Sequence, residues 1–154
     1  DSSTSRGLGD VYKRQAHTAL QLDQLKVGES LPQRTFTPDN KQLFLYNAVL
    51  WNAHRIHFDH PYAIDVEEYP GLVIAGPLLG DWMHQCIEQW LGSSGRLTSI
   101  EYSNRSASYI GESLTSGGVI TQIDKANRQV TLEVFITNEQ GDIIAPGIAT
   151  AELT

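Results

Sequence analysis

GPLLGDWMHQCIEQWLG, residues 76–92, is the most regular stretch of the chain. Leu78, Leu79, Trp82, Met83, Cys86, Ile87, Trp90 and Leu91 recur at i, i+1, i+4, i+5 and onward. That is a broad apolar stripe at helical period, and it predicts a helix over about 77–91. Pro77 suits a first turn and Gly92 a stop. A stripe this wide has to be covered by other elements. The cover lies downstream: Leu97–Tyr102, Gly118–Ile123, Gln129–Thr137 (QVTLEVFIT) and Ile143–Leu153 read as strands. Asp124–Arg128 and Asn138–Asp142 are turn-like, so the last three strands form an antiparallel meander. One buried helix ahead of a run of antiparallel strands predicts an α+β fold, an antiparallel sheet wrapped around one long central helix.

Upstream of the helix the pattern is weaker. Leu31–Thr37 alternates loosely and is a candidate strand. At Thr37-Pro38-Asp39 a helix can start, with Thr37 as cap, Pro38 in the first turn and Asp39 at the positive end. It would run over about 39–49. Residues 51–58 read as a loop, and Asp59 as the cap of a short helix through Ala63 with Pro61 in its first turn. Residues 16–30 are a linker, and 31–154 form the folded domain. Residues 1–15, DSSTSRGLGDVYKRQ, show no periodicity. They read as the translation of a sequencing-library adapter, or else as a disordered tail, and are set apart from the fold. On the adapter reading the true gene begins upstream.

The bulk composition excludes several classes. A chain of 154 residues suits one domain with a real core. With 40% hydrophobic and 19% charged residues it is ordinary for a globular protein. No apolar run approaches the roughly 18 residues that span a membrane. The polar, glycine-rich N-terminus is unlike a secretory signal. A net charge of −7 argues against a nucleic-acid partner. The single cysteine, Cys86, excludes an internal disulfide and favours a reducing compartment. The expected location is cytoplasmic, or the mitochondrial matrix in a eukaryote.

The chemistry concentrates in YNAVLWNAHRIHFDHPYA, residues 46–63. His57 can take or give a proton near neutral pH. Asn52, five residues earlier, offers a donor and an acceptor that can fix a water. Gly76 stands at the helix start, where an unpaired N–H can hold an oxygen gaining negative charge. A glycine there can equally serve tight packing. Pro77 has no N–H, so it cannot be a second donor. Arg55 is either a ligand for a carrier phosphate or a solvated charge. The rival reading is a metal site built from His54, His57 and His60 with Asp59. Three-residue spacing holds three ligands poorly around one ion, and Pro61 limits the helix, so no metal is expected. Met83 and Cys86 lie on the apolar stripe as core. His17 and His84 read as surface or packing residues. Neither a phosphate-binding glycine loop nor a serine nucleophile elbow occurs.

The residues 46–63, followed by YPGLVIAGPLL at 69–79, resemble the MaoC-like dehydratases and hydratases. They are most similar to the branch holding the mitochondrial-type 3-hydroxyacyl-thioester dehydratase and mesaconyl-CoA hydratase. The resemblance spans roughly Leu31 to the C-terminus. It implies a hot-dog fold and reversible hydration of an enoyl thioester to a 3-hydroxyacyl thioester. Coenzyme A or acyl carrier protein would be part of the substrate, with no resident cofactor. It also implies catalytic roles for Asn52 and His57, and the thioester oxygen bound at Gly76. The wider family has aspartate where Asn52 stands and often histidine at Ala75. The branch commonly reads NAHRIH, so the asparagine shifts acid–base work onto His57. Members usually carry two hot-dog units, which implies a homodimer or pairing with an N-terminal unit. Two further functions stand beside this one. The first is a hot-dog thioesterase using Asp81; the second is a non-catalytic acyl-binding subunit.

Overall fold

The computed structural model describes residues 19–154. The proposed tail at 1–15 and His17 lie outside the described residues. Five strands form one antiparallel sheet: β1 (Arg34–Phe36), β2 (Gly95–Tyr102), β3 (Leu114–Asp124), β4 (Gln129–Thr137) and β5 (Ile143–Leu153). Their order is β1-β3-β4-β5-β2. β3, β4 and β5 form the expected meander. The turns are built by side chains. Asp124 Oδ1 accepts from Asn127 N–H, and Asn138 Oδ1 accepts from the N–H groups of Gln140 and Asp142. Along β4, Val130, Leu132, Val134 and Ile136 are buried at every second position, which is the period of a half-covered sheet.

Several boundaries differ from the sequence reading. β1 is only three residues long, but its pairing resumes upstream. Leu31 N–H donates to Gly118 O, and Gly28 N–H to Ile120 O, both at 2.8 Å. Residues assigned to the linker therefore lie along β3. β3 begins at Leu114 rather than Gly118.

α2 (Gly76–Leu91) packs on β2, β3 and β4. Every apolar residue of its stripe is buried. The Trp82 ring stacks on Phe36 of β1, with centroids 4.4 Å apart and planes 7° from parallel. Gly92 ends the helix at φ 53°, in a conformation that favours glycine. No helix among the described residues is long and apolar enough to cross a membrane.

α1 (Asn40–Val49) is capped by Asp39, not Thr37. Asp39 Oδ1 accepts from Gln42 N–H at 2.8 Å, whereas Thr37 Oγ1 is engaged with Ser113 Oγ. Pro38 thus precedes the helix and supplies rigidity rather than a first turn. Asp39→Ala is expected to cost about 1 kcal/mol, read as a lower urea midpoint at unchanged slope. Leu43 and Asn47 are buried, while Phe44, Leu45, Val49, Leu50 and Trp51 are exposed. Asp59 caps as expected, its Oδ1 accepting from Tyr62 N–H. The turn it starts continues past Ala63 as a π-helical stretch, Tyr62–Val66.

Candidate active site

The segment at 72–74 leads into α2 and is gripped from both sides. Val73 N–H donates to Ile56 O at 3.0 Å, and Ile74 N–H donates to Ser108 O at 2.9 Å. Ile110 N–H donates to Leu72 O, completing a short ladder. The loop that carries the motif and the β2–β3 connection are thereby fixed against the entry to α2.

His57 ends a 3₁₀ turn, Arg55–His57, and is 8% exposed. Its Nδ1 lies 2.7 Å from Val73 O. A carbonyl can only accept, so Nδ1 carries the hydrogen, and in the neutral ring Nε2 keeps a lone pair. Burial lowers the pKa of His57 below the usual 6.5; the Val73 hydrogen bond opposes this, and nearby His54 adds slightly to it. The ring is therefore held in its neutral, proton-accepting form at pH 7.

His57 and Gly76 line one cavity of about 230 Å³, closed by Leu79 and by the 104–108 loop. Gly76 is the first residue of α2, after Ala75 in extended conformation. Its N–H lies in the first turn, where no helical acceptor exists. A side chain at this position would collide with the Asn104 carboxamide, whose Cγ would lie 2.9 Å from the added Cβ. Glycine lets the Asn104 carboxamide lie against the helix start.

Asn52 lines a different, apolar cavity of about 360 Å³, with Phe44, Ala48, Trp51 and Phe58. Its carboxamide is anchored from α1. Asn52 Nδ2 donates to Asn47 Oδ1 at 2.9 Å, and Asn52 Oδ1 accepts from His54 N–H at 3.1 Å. Asn47 is itself buried and donates to Leu43 O. Arg55 directs its Nε and Nη2 to Asp59 Oδ2, at 2.9 and 2.7 Å, and lies over the Tyr62 ring. The hydrogen bond from Arg55 holds the Asp59 carboxyl below the usual range. Arg55 faces solvent and lines neither cavity. Asp81, the thioesterase candidate, also lines neither. It accepts from Tyr46 O–H at 2.6 Å and ties α1 to α2. Burial, then this bond, push the Tyr46 phenol pKa up. Among the described residues, no three His, Cys, Asp or Glu side chains gather into a group able to hold a metal ion.

The part of the site that sequence reasoning missed is the stretch Asn104–Ser108. NRSAS has no periodicity and no spacing relation to the histidine motif. Only the folded sheet brings it across to the start of α2.

The chain is 56% identical over 46 residues to mesaconyl-C(4)-CoA hydratase of Chloroflexus aurantiacus, covering 30% of this chain and 16% of that protein. It is 47% identical over 53 residues to the mitochondrial hydroxyacyl-thioester dehydratase type 2 of Schizosaccharomyces pombe, covering 33% and 18% respectively. The matched stretches are thus under one fifth of either relative's length. Among solved structures, the (R)-hydratase from A. caviae involved in PHA biosynthesis superposes with a TM-score of 0.78 at 18% identity, over 85% of this chain and 98% of that one. The likeness shows the hot-dog fold: a curled five-stranded antiparallel sheet with a helix. A family model described as hydroxyacyl-thioester dehydratase type 2 matches residues 10–110, and this stretch carries both the histidine motif and the glycine that opens α2. The chain belongs to the hydroxyacyl-thioester dehydratase type 2 family.

Proposed function

We propose that the protein adds water reversibly across the double bond of a trans-2-enoyl thioester, giving a 3-hydroxyacyl thioester. The observation that carries this reading is the cavity shared by His57, an imidazole held neutral, and Gly76, at the positive end of a helix. In hydration, His57 Nε2 accepts a proton from water as the water oxygen bonds to the β-carbon. The π electrons move to the α-carbon and thioester carbonyl, where the Gly76 N–H meets the developing negative charge. His57 Nε2 then returns that proton to the α-carbon on the same face, which restores the neutral imidazole, and dehydration runs these steps backward. Asn52 is assigned to orienting the water with its remaining amide hydrogen and lone pair, for which its carboxamide, held by Asn47 at the neighbouring cavity, would have to turn toward His57. Arg55 is assigned to a carrier phosphate, for which it would exchange Asp59. Coenzyme A or acyl carrier protein enters with the substrate, and the scheme uses no metal or redox cofactor.

A thioesterase reading draws less support, because Asp81 is engaged by Tyr46 outside the cavity. Crotonyl-CoA separates the alternatives. Loss of enoyl-thioester absorbance without release of free thiol is expected. Thiol release would select the thioesterase, and binding without either change the non-catalytic subunit.

We further take the sheet to curl around α2 as the central helix, and the unit to pair with a second hot-dog unit, in a homodimer or within a longer chain. Two open sheet edges, β1 and β2, and the exposed apolar residues of α1 favour pairing. A well-behaved monomer in light scattering would count against it. The expected compartment is the cytoplasm or the mitochondrial matrix.

A further inference from the structure

The start of α2 offers fewer donors than an oxyanion needs. Gly76 N–H has no partner among the described residues, Pro77 has no N–H to donate, and Leu78 N–H is spent on Ala75 O at 2.9 Å. A thioester oxygen that gains charge accepts two hydrogen bonds or more, and sites that stabilise such oxygens commonly supply two donors. The second has to come from another element.

Ser108 meets that need. It lines the same cavity as His57 and Gly76, and it is 1% exposed. Its Oγ is buried and has no hydrogen-bond partner among the described residues. A buried hydroxyl left unpaired costs about 1–3 kcal/mol, and native structures hold few of them without a reason. The Ser108 backbone is also held in register with the helix start. Ser108 O accepts from Ile74 N–H, two residues ahead of Gly76. The loop before it is tied down by Ser103 N–H on Pro146 O and Arg105 N–H on Ile144 O. Ser116, the other buried hydroxyl with no N or O partner among the described residues, lies on β3 against the Cys86 thiol, which can engage it, and lines none of the cavities described above.

We propose that Ser108 donates its hydroxyl hydrogen to the substrate's thioester oxygen, together with the Gly76 N–H. The assignment rests on the reading that a thioester occupies this cavity. It makes the β2–β3 connection part of the catalytic wall, and it gives the unpaired Ser108 hydroxyl a partner.

The test uses the full chain and two thioesters. Butyryl-CoA carrying a ¹³C carbonyl cannot be hydrated, so its infrared carbonyl band reports hydrogen bonding without turnover. The bound band is expected below its position in water with the unsubstituted protein, to return toward that position in Ser108→Ala, and to move down again in Ser108→Thr. With crotonyl-CoA, Ser108→Ala is expected to lower kcat on the order of 10²-fold with little change in KM. Its thermal midpoint should equal or exceed that of the unsubstituted protein, since an unpaired polar group is removed. An unmoved band and full kcat in Ser108→Ala would overturn the assignment. Ser108-dependent band shifts without any turnover of crotonyl-CoA would keep Ser108 as a donor and remove the hydratase reading. Failure of butyryl-CoA to bind the unsubstituted protein would remove both.

Discussion

His57→Ala is expected to lower kcat for crotonyl-CoA hydration by about 10²–10⁴-fold, the range that a positioned acid–base group contributes. KM should change far less, because the proposed thioester carbonyl contact at Gly76 remains. The substitution also removes the partner of Val73 O, so circular dichroism and a melting curve must accompany the kinetics. His57→Gln offers a check, since its amide N–H can still reach a carbonyl while it cannot shuttle a proton. Full activity in His57→Ala would eliminate the acid–base assignment. The pH profile follows from the same environment. Burial depresses the pKa of His57 below 6.5, so the proton-accepting form persists as pH falls through that value. Hydration should stay level from neutral pH to below 6.5 and drop only in more acid solution. Stability has the same sign. The unfolded chain takes up the proton near pH 6.5 and the folded one only at lower pH. The contribution of His57 is therefore full above pH 6.5 and is lost as pH falls through the depressed folded-state value.

Trp82→Ala is expected to destabilise the fold by about 3–5 kcal/mol, the usual cost of deleting a buried indole. Against a typical total of about 5–15 kcal/mol for a domain, that is enough to leave a large unfolded fraction on mild warming. Trp82 is 2% exposed and is the plate on which Phe36 stacks at 4.4 Å. Phe36 belongs to β1, a three-residue edge strand whose one strand partner among the described residues is β3. Removing the indole therefore opens a cavity beside α2 and releases the anchor of that edge. Urea unfolding should show a lower midpoint. Hydrogen exchange should show the β1 amides opening before those of β4. A loss under 1 kcal/mol would mean that the helix and edge strand are not packed as described.

The contrast between α1 and α2 shows where pattern reading succeeds. In α2 the apolar stripe is wide and unbroken, so period and burial coincide and its first and last residues are matched within one position. In α1 the apolar residues spread around the helix, and only Leu43 and Asn47 are buried. No stripe marks the inner face, and the cap moved from Thr37 to Asp39 because Ser113, far away in sequence, occupies the threonine hydroxyl. β3 shows the same limit. Its first residues, Leu114–Gly117, carry little alternation, and they are strand because β1 and β4 offer hydrogen bonds on either side.

Local pattern was enough for the α+β class, the α2 helix, the meander and the candidacy of His57 and Gly76, because each rests on contacts between residues close in sequence or on a single repeating period. The division of the site was not legible in that way. Asn52 and His57 are five residues apart, yet they face separate cavities, since Asn47 pulls the Asn52 carboxamide toward α1 while Val73 O fixes the imidazole. Arg55 is claimed by Asp59, and Asp81 by Tyr46. Ser108 comes to the cavity of Gly76 only through the sheet, whose long-range hydrogen bonds bring together segments that share no local signal.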